Sequence, residues 1–301
     1  MLTAGVLIGL SVLMHVIWNL LARHVAARCN YLWWGLLVHL VLLGPVGAYG
    51  LWQDAHWSWT LLAATVVTML MNSLYFIGLR EAYVRAPATY VYPLARSSPL
   101  LILLWEWLLW SSQPGKLALL GLLISVVGLW LLGNTARSHA ATRSALPWVG
   151  LAALATSLYS LSDKVAVSAL PSLPALLGFV SLGYLASFVA LSWMNYRQTA
   201  NIVPTCRPEW RYLLPGGLFI GTAYALVIQS MQYLPAAYVV AFTNTGIVLA
   251  SLLAMLVLKE KEAWQQRLLA AGLIALGLLV LGVAQYAPSH VVNALLLLKV
   301  G

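Results

Sequence analysis

Arg96 is an ionisable side chain inside a long apolar run, and this makes it the strongest candidate for binding chemistry. The segment reads Tyr92-Pro93-Leu94-Ala95-Arg96 within the run 88–110. Pro93 has no backbone N–H and can kink a helix, which frees carbonyls to face a cavity. A guanidinium at that depth would bind a carboxylate or a phosphate through paired hydrogen bonds. The alternative is structural: Arg96 pairs with an acid or extends to the interface.

Polar side chains in the other apolar runs fall on single helical faces. His15, Trp18 and Asn19 follow the i, i+3, i+4 spacing in the first run. Such a face indicates either hydrogen bonds between helices or a cavity wall. The remaining candidates for a cavity wall are Asn72, Tyr75, Tyr92, Tyr159, Asp163, Tyr224, Gln229 and Asn244.

Asp163 is a candidate for carrying a coupling proton or ion, because carboxylates inside a membrane are functional suspects. It follows Tyr159 by four residues and directly precedes Lys164. The residue could pair locally with Lys164 or reach Arg96. The sequence leaves both pairings open.

Glu106 is the second acidic residue inside an apolar run. It lies ten residues after Arg96, on a different helical face and about 15 Å along the axis, so a direct pair is not expected. Glu106 either carries a coupling proton or belongs to an interfacial aromatic belt. The second interpretation is favoured, because its neighbours are Trp105, Trp107 and Trp110.

The elements that must position these residues are membrane spans. Of the 301 residues, 62% are hydrophobic and 8% are charged, whereas soluble domains carry about 25% charged residues. A span needs about 20 apolar residues, and runs this long exclude barrel strands. We predict an all-α membrane protein with ten transmembrane helices, at 3–22, 32–52, 60–79, 88–110, 116–134, 146–165, 174–195, 212–232, 236–258 and 268–286.

The basic residues predict an orientation rather than a nucleic-acid site. The net charge is +9, but Lys and Arg are spread singly and form no stripe. Twelve of the 16 basic residues fall in the odd-numbered loops between the predicted spans. The positive-inside rule therefore places the odd loops in the cytoplasm and both termini outside, in an inner (plasma) membrane.

Cysteine and histidine usage indicates no metal site, no cofactor and no enzyme. Cys29 and Cys206 both fall in odd loops, and we predict that they are free thiols in a reducing compartment. The six histidines are scattered and show no metal-binding spacing. The chain has no Walker A motif, so a gradient or an exchange reaction would have to drive any transport.

An internal repeat of about 150 residues relates the two halves. Pro87 matches Pro235 and Tyr90 matches Tyr238 at an offset of 148, and Gly128 matches Gly277 at 149. Arg96 corresponds to Asn244 at the first offset. Five predicted spans fill one repeat, and an odd number inverts the second copy relative to the first. Inverted repeats are typical of secondary transporters, which bind substrate near the midplane at the repeat interface.

The chain resembles the drug/metabolite transporter (DMT) superfamily in its ten-helix, EamA-type branch. The resemblance rests on His15-x-x-Trp18-Asn19, Ala86-Pro87-Ala88, Ala236-Ala237, Leu258-Lys259-Glu260 and the Gly-x4-Gly ends of spans 5 and 10. One departure is that Ser112-Gln113 stands where the first repeat would carry the counterpart of Glu260. The resemblance implies two inverted five-helix repeats and a cavity lined by spans 1, 3, 4, 6, 8 and 9. It also implies that the fifth helix of each repeat is peripheral.

The predicted organisation is a first repeat at 1–136, a second at 144–286, and a tail at 287–301. The predicted function is secondary transport of a small polar or amphipathic metabolite by alternating access. An amino acid or an organic anion is favoured, and the resemblance leans towards export. The alternatives are a membrane scaffold or lipid-handling partner, and a membrane-embedded enzyme.

Overall fold

A computed structural model describes residues 2–22, 24–26, 29–86, 88–111, 114–134, 141–256 and 264–286. All elements among these residues are helices, as the apolar runs predict. The predicted tail 287–301, Pro87, Ser112-Gln113 and Leu258-Lys259-Glu260 lie outside them.

The first half of the described chain forms seven α-helices. Pro93 lies inside the fifth, and a sharp bend of 52° separates the second from the third. The helices are α1 (Leu2–Ala22), α2 (Tyr31–Leu42), α3 (Gly44–Asp54), α4 (Trp59–Arg85), α5 (Ala88–Ala95), α6 (Ser98–Trp110) and α7 (Lys116–Asn134).

The second half forms six α-helices and one short 3-10 turn at Val167–Ala169. The helices are α8 (Ala141–Ala166), α9 (Leu173–Thr199), α10 (Trp210–Ser230), α11 (Ala236–Thr243), α12 (Thr245–Leu256) and α13 (Trp264–Tyr286).

Seven of the described helices are long and apolar enough to cross a bilayer, and there are eight if α2 and α3 form one bent span. The predicted fourth and ninth spans appear instead as two short helices each, α5 with α6 and α11 with α12. Helix length alone therefore does not establish ten spans. The predicted third span is too short, because α4 continues to Arg85.

The two interrupted helices break at equivalent positions in the repeat. The first break falls at Arg96 and Ser97, and the second at Asn244. Pro99 at the start of α6 explains the first break, since its ring and its missing N–H disfavour a continuous helix over the preceding turn, whereas Pro93 lies inside α5. The side-chain amide of Asn244 donates to the backbone carbonyl of Arg96 at 3.2 Å. The repeat thus brings two helix interruptions together in the interior.

Helix packing follows the same symmetry. α8 packs along α4, and α1 packs along α10, and each pair is the repeat equivalent of the other. These pairs form two bundles, which we call the α4–α8 bundle and the α1–α10 bundle. α2 and α3 pack against α9, and α7 packs against α13. Gly121 and Gly277 allow the last contact, because a Cβ at Gly277 would lie 2.5 Å from the carbonyl oxygen of Gly121.

The two cysteines are joined, so the prediction of free thiols is wrong. Cys29 precedes α2 and Cys206 precedes α10, and a disulfide links them with a Cα–Cα distance of 4.4 Å. Trp34 donates its indole N–H to the carbonyl of Cys206 at 3.0 Å. The residues are 177 positions apart, and only the packing of α2 against α10 brings them together.

Candidate functional site

A cavity lies between the two bundles, where polar and aromatic side chains meet. Its volume is about 60 Å³, well below the roughly 300 Å³ of the smallest usual ligand pockets. The cavity in this structure is therefore too small to hold a metabolite. The lining residues are His15, Trp18, Leu32, Asn72, Tyr75, Phe76, Leu79, Tyr92, Ala95, Arg96, Thr156, Tyr159, Ser160, Tyr184, Ile220, Tyr224, Val227, Val240 and Thr243.

Arg96 supplies the positive charge of the cavity wall. Its guanidinium donates to the hydroxyl of Tyr92 at 2.6 Å and to the hydroxyl of Thr243 at 3.2 Å. It also lies 5.0 Å from the centre of the Tyr92 ring, a cation–π distance. No acidic side chain forms an ion pair with Arg96 within the described part of the chain. Three of its five N–H donors are therefore left for a ligand.

Asn244 holds the backbone beside Arg96 rather than lining the cavity. Its amide nitrogen bonds the Arg96 carbonyl, while its amide oxygen is buried with no hydrogen-bond partner among the described residues. Asn244 is 1% exposed. The repeat counterpart of Arg96 therefore supports the backbone at the helix break and not the guanidinium.

Aromatic rings form most of the remaining wall. The ring of Tyr159 contacts Tyr75 and Tyr224 edge to face, with centroids 5.9 and 5.6 Å apart. Phe76 contacts Tyr184 in the same way at 5.8 Å. Such edge-to-face contacts fix the orientation of the rings in the cavity wall. The surface suits a ligand with an apolar body and one anionic end.

The polar side chains on one face of α1 form some of their hydrogen bonds with each other and with the helix backbone. Trp18 donates its indole N–H to Nδ1 of His15 at 3.0 Å, and Asn19 donates to the backbone carbonyl of His15 at 2.7 Å. His15 and Trp18 line the cavity, whereas Asn19 does not. His15 is also close enough to Arg96 to interact electrostatically.

Asp163 lies behind the cavity wall, so the structure supports neither of its predicted pairings. Its carboxylate accepts a hydrogen bond from Thr68 on α4 at 2.7 Å and another from Tyr224 on α10. It forms no ion pair with Lys164 or Arg96. Lys164 instead donates to the backbone carbonyls of Met231 and Leu234.

Glu106 and its tryptophan neighbours divide between two environments. Trp107 and Trp110 are about half exposed, as a belt requires. Trp105 instead donates to Ser157 on α8 at 3.0 Å. Glu106 is half-buried and close enough to Lys164 to interact electrostatically. The belt interpretation therefore fits Trp107 and Trp110 better than Glu106.

Eight of the twelve predicted cavity residues lie in the wall, and four do not. Asn19, Asp163 and Asn244 bond to the backbone or side chains behind it, and Gln229 is half-buried elsewhere on α10. As substrate contacts, the wall residues remain predictions. Those brought together are His15, Trp18, Asn72, Tyr75, Tyr92, Arg96, Tyr159 and Tyr224.

Several wall residues were absent from the predicted set. Thr156 and Ser160 share a helical face with Asp163 at i, i+4, i+7, a spacing that could have indicated them. Leu32 on α2 and Tyr184 on α9 carried no such signal, since their approach depends on how those helices pack. α2 and α9 thus contribute to the cavity wall in addition to the six spans that the resemblance implied. No residue of α7 or α13 lines the cavity.

Comparison with known proteins identifies the family. The family model described as "EamA-like transporter family" matches residues 2–134 and 143–283, one match for each repeat. The chain belongs to the EamA-like transporter family. EamA proteins are membrane transporters of the drug/metabolite transporter superfamily, so this chain is a multi-pass membrane protein with the two-repeat EamA architecture.

A solved structure supports the EamA fold. A crystal structure described only as "Crystal structure of protein" superposes with a TM-score of 0.71 and 18% sequence identity. The match covers 92% of this chain and 96% of the other. Identity at this level shows the fold alone. No curated protein matches the chain.

Proposed function

We propose that this EamA protein moves a small anionic metabolite, an amino acid or an organic acid, by alternating access across the inner membrane. The observation that carries the proposal is Arg96, a guanidinium without an acidic partner in the described chain, placed among aromatic rings in the interior. Unpaired charge is costly inside a membrane unless a ligand or water compensates it. A substrate carboxylate would compensate it through a bidentate pair.

The small volume of the cavity supports alternating access. A space of about 60 Å³ admits water but not an amino acid. Substrate entry therefore requires the two bundles to separate. Two bundles related by the repeat would separate at either end at similar energy, which is how inverted repeats alternate. The proposed direction is export, with the odd loops in the cytoplasm.

The test is uptake into proteoliposomes that contain the full-length protein, with radiolabelled amino acids and dicarboxylates as probes. We expect Arg96→Ala to reduce the transport of an anionic probe roughly 10- to 100-fold, the equivalent of losing about 1.5–3 kcal/mol from charged hydrogen bonds. Arg96→Lys keeps the charge without the planar fork, so we expect an intermediate rate.

The control removes a positive charge elsewhere. Arg207→Ala changes an exposed arginine whose guanidinium lies 4.8 Å from the centre of the Trp210 ring, outside the cavity, and we expect normal transport. If Arg96→Ala protein folds and transports normally, Arg96 does not contact the substrate. If the wild type moves none of the probes, the scaffold alternative gains support.

A further inference from the structure

Two adjacent residues of α8 join the two bundles at one end of the molecule. Asp163 accepts a hydrogen bond from Tyr224, and Lys164 donates to the carbonyls of Met231 and Leu234, which follow α10. α8 belongs to the α4–α8 bundle, and α10 belongs to the α1–α10 bundle. These bonds therefore cross the plane along which the bundles must separate. We call this place the α8–α10 junction.

The carboxylate of Asp163 is completely buried at this junction. Its exposed fraction is 0%, and its two partners are hydroxyl groups from different bundles, Thr68 on α4 and Tyr224 on α10. Tyr224 also lines the cavity. A single hydroxyl thus connects the buried carboxylate to the space where water and substrate would lie.

No cation compensates Asp163 within the described chain. The titratable groups that face it are phenols: Tyr159 on its own helix, Tyr184 on α9 and Tyr224 on α10. α4 contributes the hydroxyl of Thr68, which is neutral. Arg96 bonds to Tyr92 and Thr243, and Lys164 bonds to backbone carbonyls. The charge of Asp163 is therefore stabilised by hydroxyl donors alone.

We infer that Asp163 takes up and releases the coupling proton of transport, and that its charged form holds the α8–α10 junction closed. The charged carboxylate needs both hydroxyl donors, since a buried charge without hydrogen bonds is strongly unfavourable. It therefore keeps Tyr224, and with it α10, against α8. A proton from cavity water neutralises the carboxyl, which then tolerates the loss of Tyr224. The bundles then separate at the α8–α10 junction. Water from that side of the membrane reaches the Asp163 carboxyl, and the proton leaves to it.

The geometry favours Asp163 over Glu106 for this role. Glu106 is only half-buried, and the positive charge of Lys164 lies close enough to interact with it. Among the described residues it forms no hydrogen bond across the junction, so a change in its charge would not hold or release α10. Glu106→Gln is therefore the matched control for Asp163→Asn, since both replace a carboxylate by an amide of the same shape.

The first test is infrared difference spectroscopy of the full-length protein in liposomes during a change of pH, without substrate. We expect the wild type to show the carbonyl band of a protonated buried carboxyl as the pH falls. Asp163→Asn should lose that band, whereas Glu106→Gln should keep it. A band that persists in Asp163→Asn, or that vanishes only in Glu106→Gln, overturns the assignment.

The second test measures the junction directly, with spin labels on Ser168→Cys and Tyr233→Cys and the native disulfide left oxidised. Both positions are exposed and lie just beyond α8 and α10 respectively. We expect the distance between the labels to lengthen at acidic pH in the wild type and to be long at all pH values in Asp163→Asn. A distance that responds to Na⁺ and not to acid contradicts a proton carrier.

The inference rests on the proposed transport function, but the two fail separately. Neither measurement uses a substrate, so a carboxyl that does not titrate leaves the Arg96 prediction intact. Conversely, the protein could move no probe while its junction still opens with acid. That result would contradict the proposed transport function and support the proton-dependent junction.

Discussion

At the scale of single residues, different parts of Tyr92 orient the guanidinium of Arg96 and stabilise its charge. The Tyr92 hydroxyl accepts one N–H at 2.6 Å, while its ring lies beneath the guanidinium carbon at 5.0 Å. The hydroxyl fixes where the guanidinium points, and the ring stabilises its charge. These two effects can be measured separately because phenylalanine keeps the ring and loses the hydroxyl.

Tyr92→Phe should weaken the binding of an anion without abolishing it. One hydrogen bond contributes about 0.5–1.5 kcal/mol, so we expect the Kd for phenylacetate to rise roughly 2- to 12-fold. The binding of phenylacetamide, which lacks the charge, should not change. The measurement is calorimetric titration of the detergent-solubilised protein. Tyr49→Phe is the control, since Tyr49 on α3 is exposed and lies outside the cavity; an equal effect there would contradict the role of Tyr92.

The residue scale also shows what the sequence could predict. Arg96, Tyr92 and the face of His15 and Trp18 were predictable, because polar groups in apolar runs must face protein or water. Asp163 was singled out, but its partners were not, because Thr68 and Tyr224 are brought to it by the packing of α4 and α10. Spacing within one helix predicts a face, and it does not predict what that face meets.

At the scale of elements, α7 and α13 depend on glycine for their close approach. A Cβ at Gly277 would lie 2.4 Å from the backbone nitrogen of Ser125 and 2.5 Å from the carbonyl oxygen of Gly121. Backbone atoms on the facing helix cannot move away as a flexible side chain can. The packing of these two peripheral helices should therefore be sensitive to a single methyl group.

Gly277→Ala should lower the thermal stability of the protein by several degrees, and Gly272→Ala should not. Both positions lie on α13, and alanine alone favours a helix by about 1 kcal/mol. Space is open around Gly272, since no atom lies within 4 Å of an added Cβ. Overpacking at Gly277 costs about 1–3 kcal/mol. The check is thermal unfolding of both variants in detergent, and equal transition temperatures would contradict tight α7–α13 packing.

At the scale of the whole molecule, the internal repeat explains why the architecture could be predicted from the sequence. The family match in two copies confirms the EamA resemblance, and the helix breaks recur at Arg96 and Asn244. The disulfide was not predictable in the same way. Cys29 and Cys206 belong to different repeats and have no counterpart in each other's half, so no periodicity relates them. Their contact is a consequence of the assembled bundles.

The charge pattern and the disulfide favour opposite orientations of the protein in the membrane. Twelve of 16 basic residues favour cytoplasmic odd loops. The bond between Cys29 and Cys206 lies at the same loops and is favoured by an oxidising compartment. Charge acts while the helices insert, whereas the disulfide forms afterwards, so we expect the charges to decide the orientation. A cytoplasmic location would then place the Cys29–Cys206 disulfide in a reducing compartment.

This expectation can be measured in intact cells with a membrane-impermeant maleimide, on a background in which both native cysteines are alanine. Ile202→Cys reports the loop between α9 and α10, and Gln53→Cys reports the opposite end of the molecule; both side chains are exposed. We expect Gln53→Cys to be labelled at once and Ile202→Cys only after permeabilisation. The reverse pattern would place the disulfide outside the cytoplasm and make the protein an exception to the positive-inside rule, with Arg197, Arg207 and Arg211 on the oxidising side.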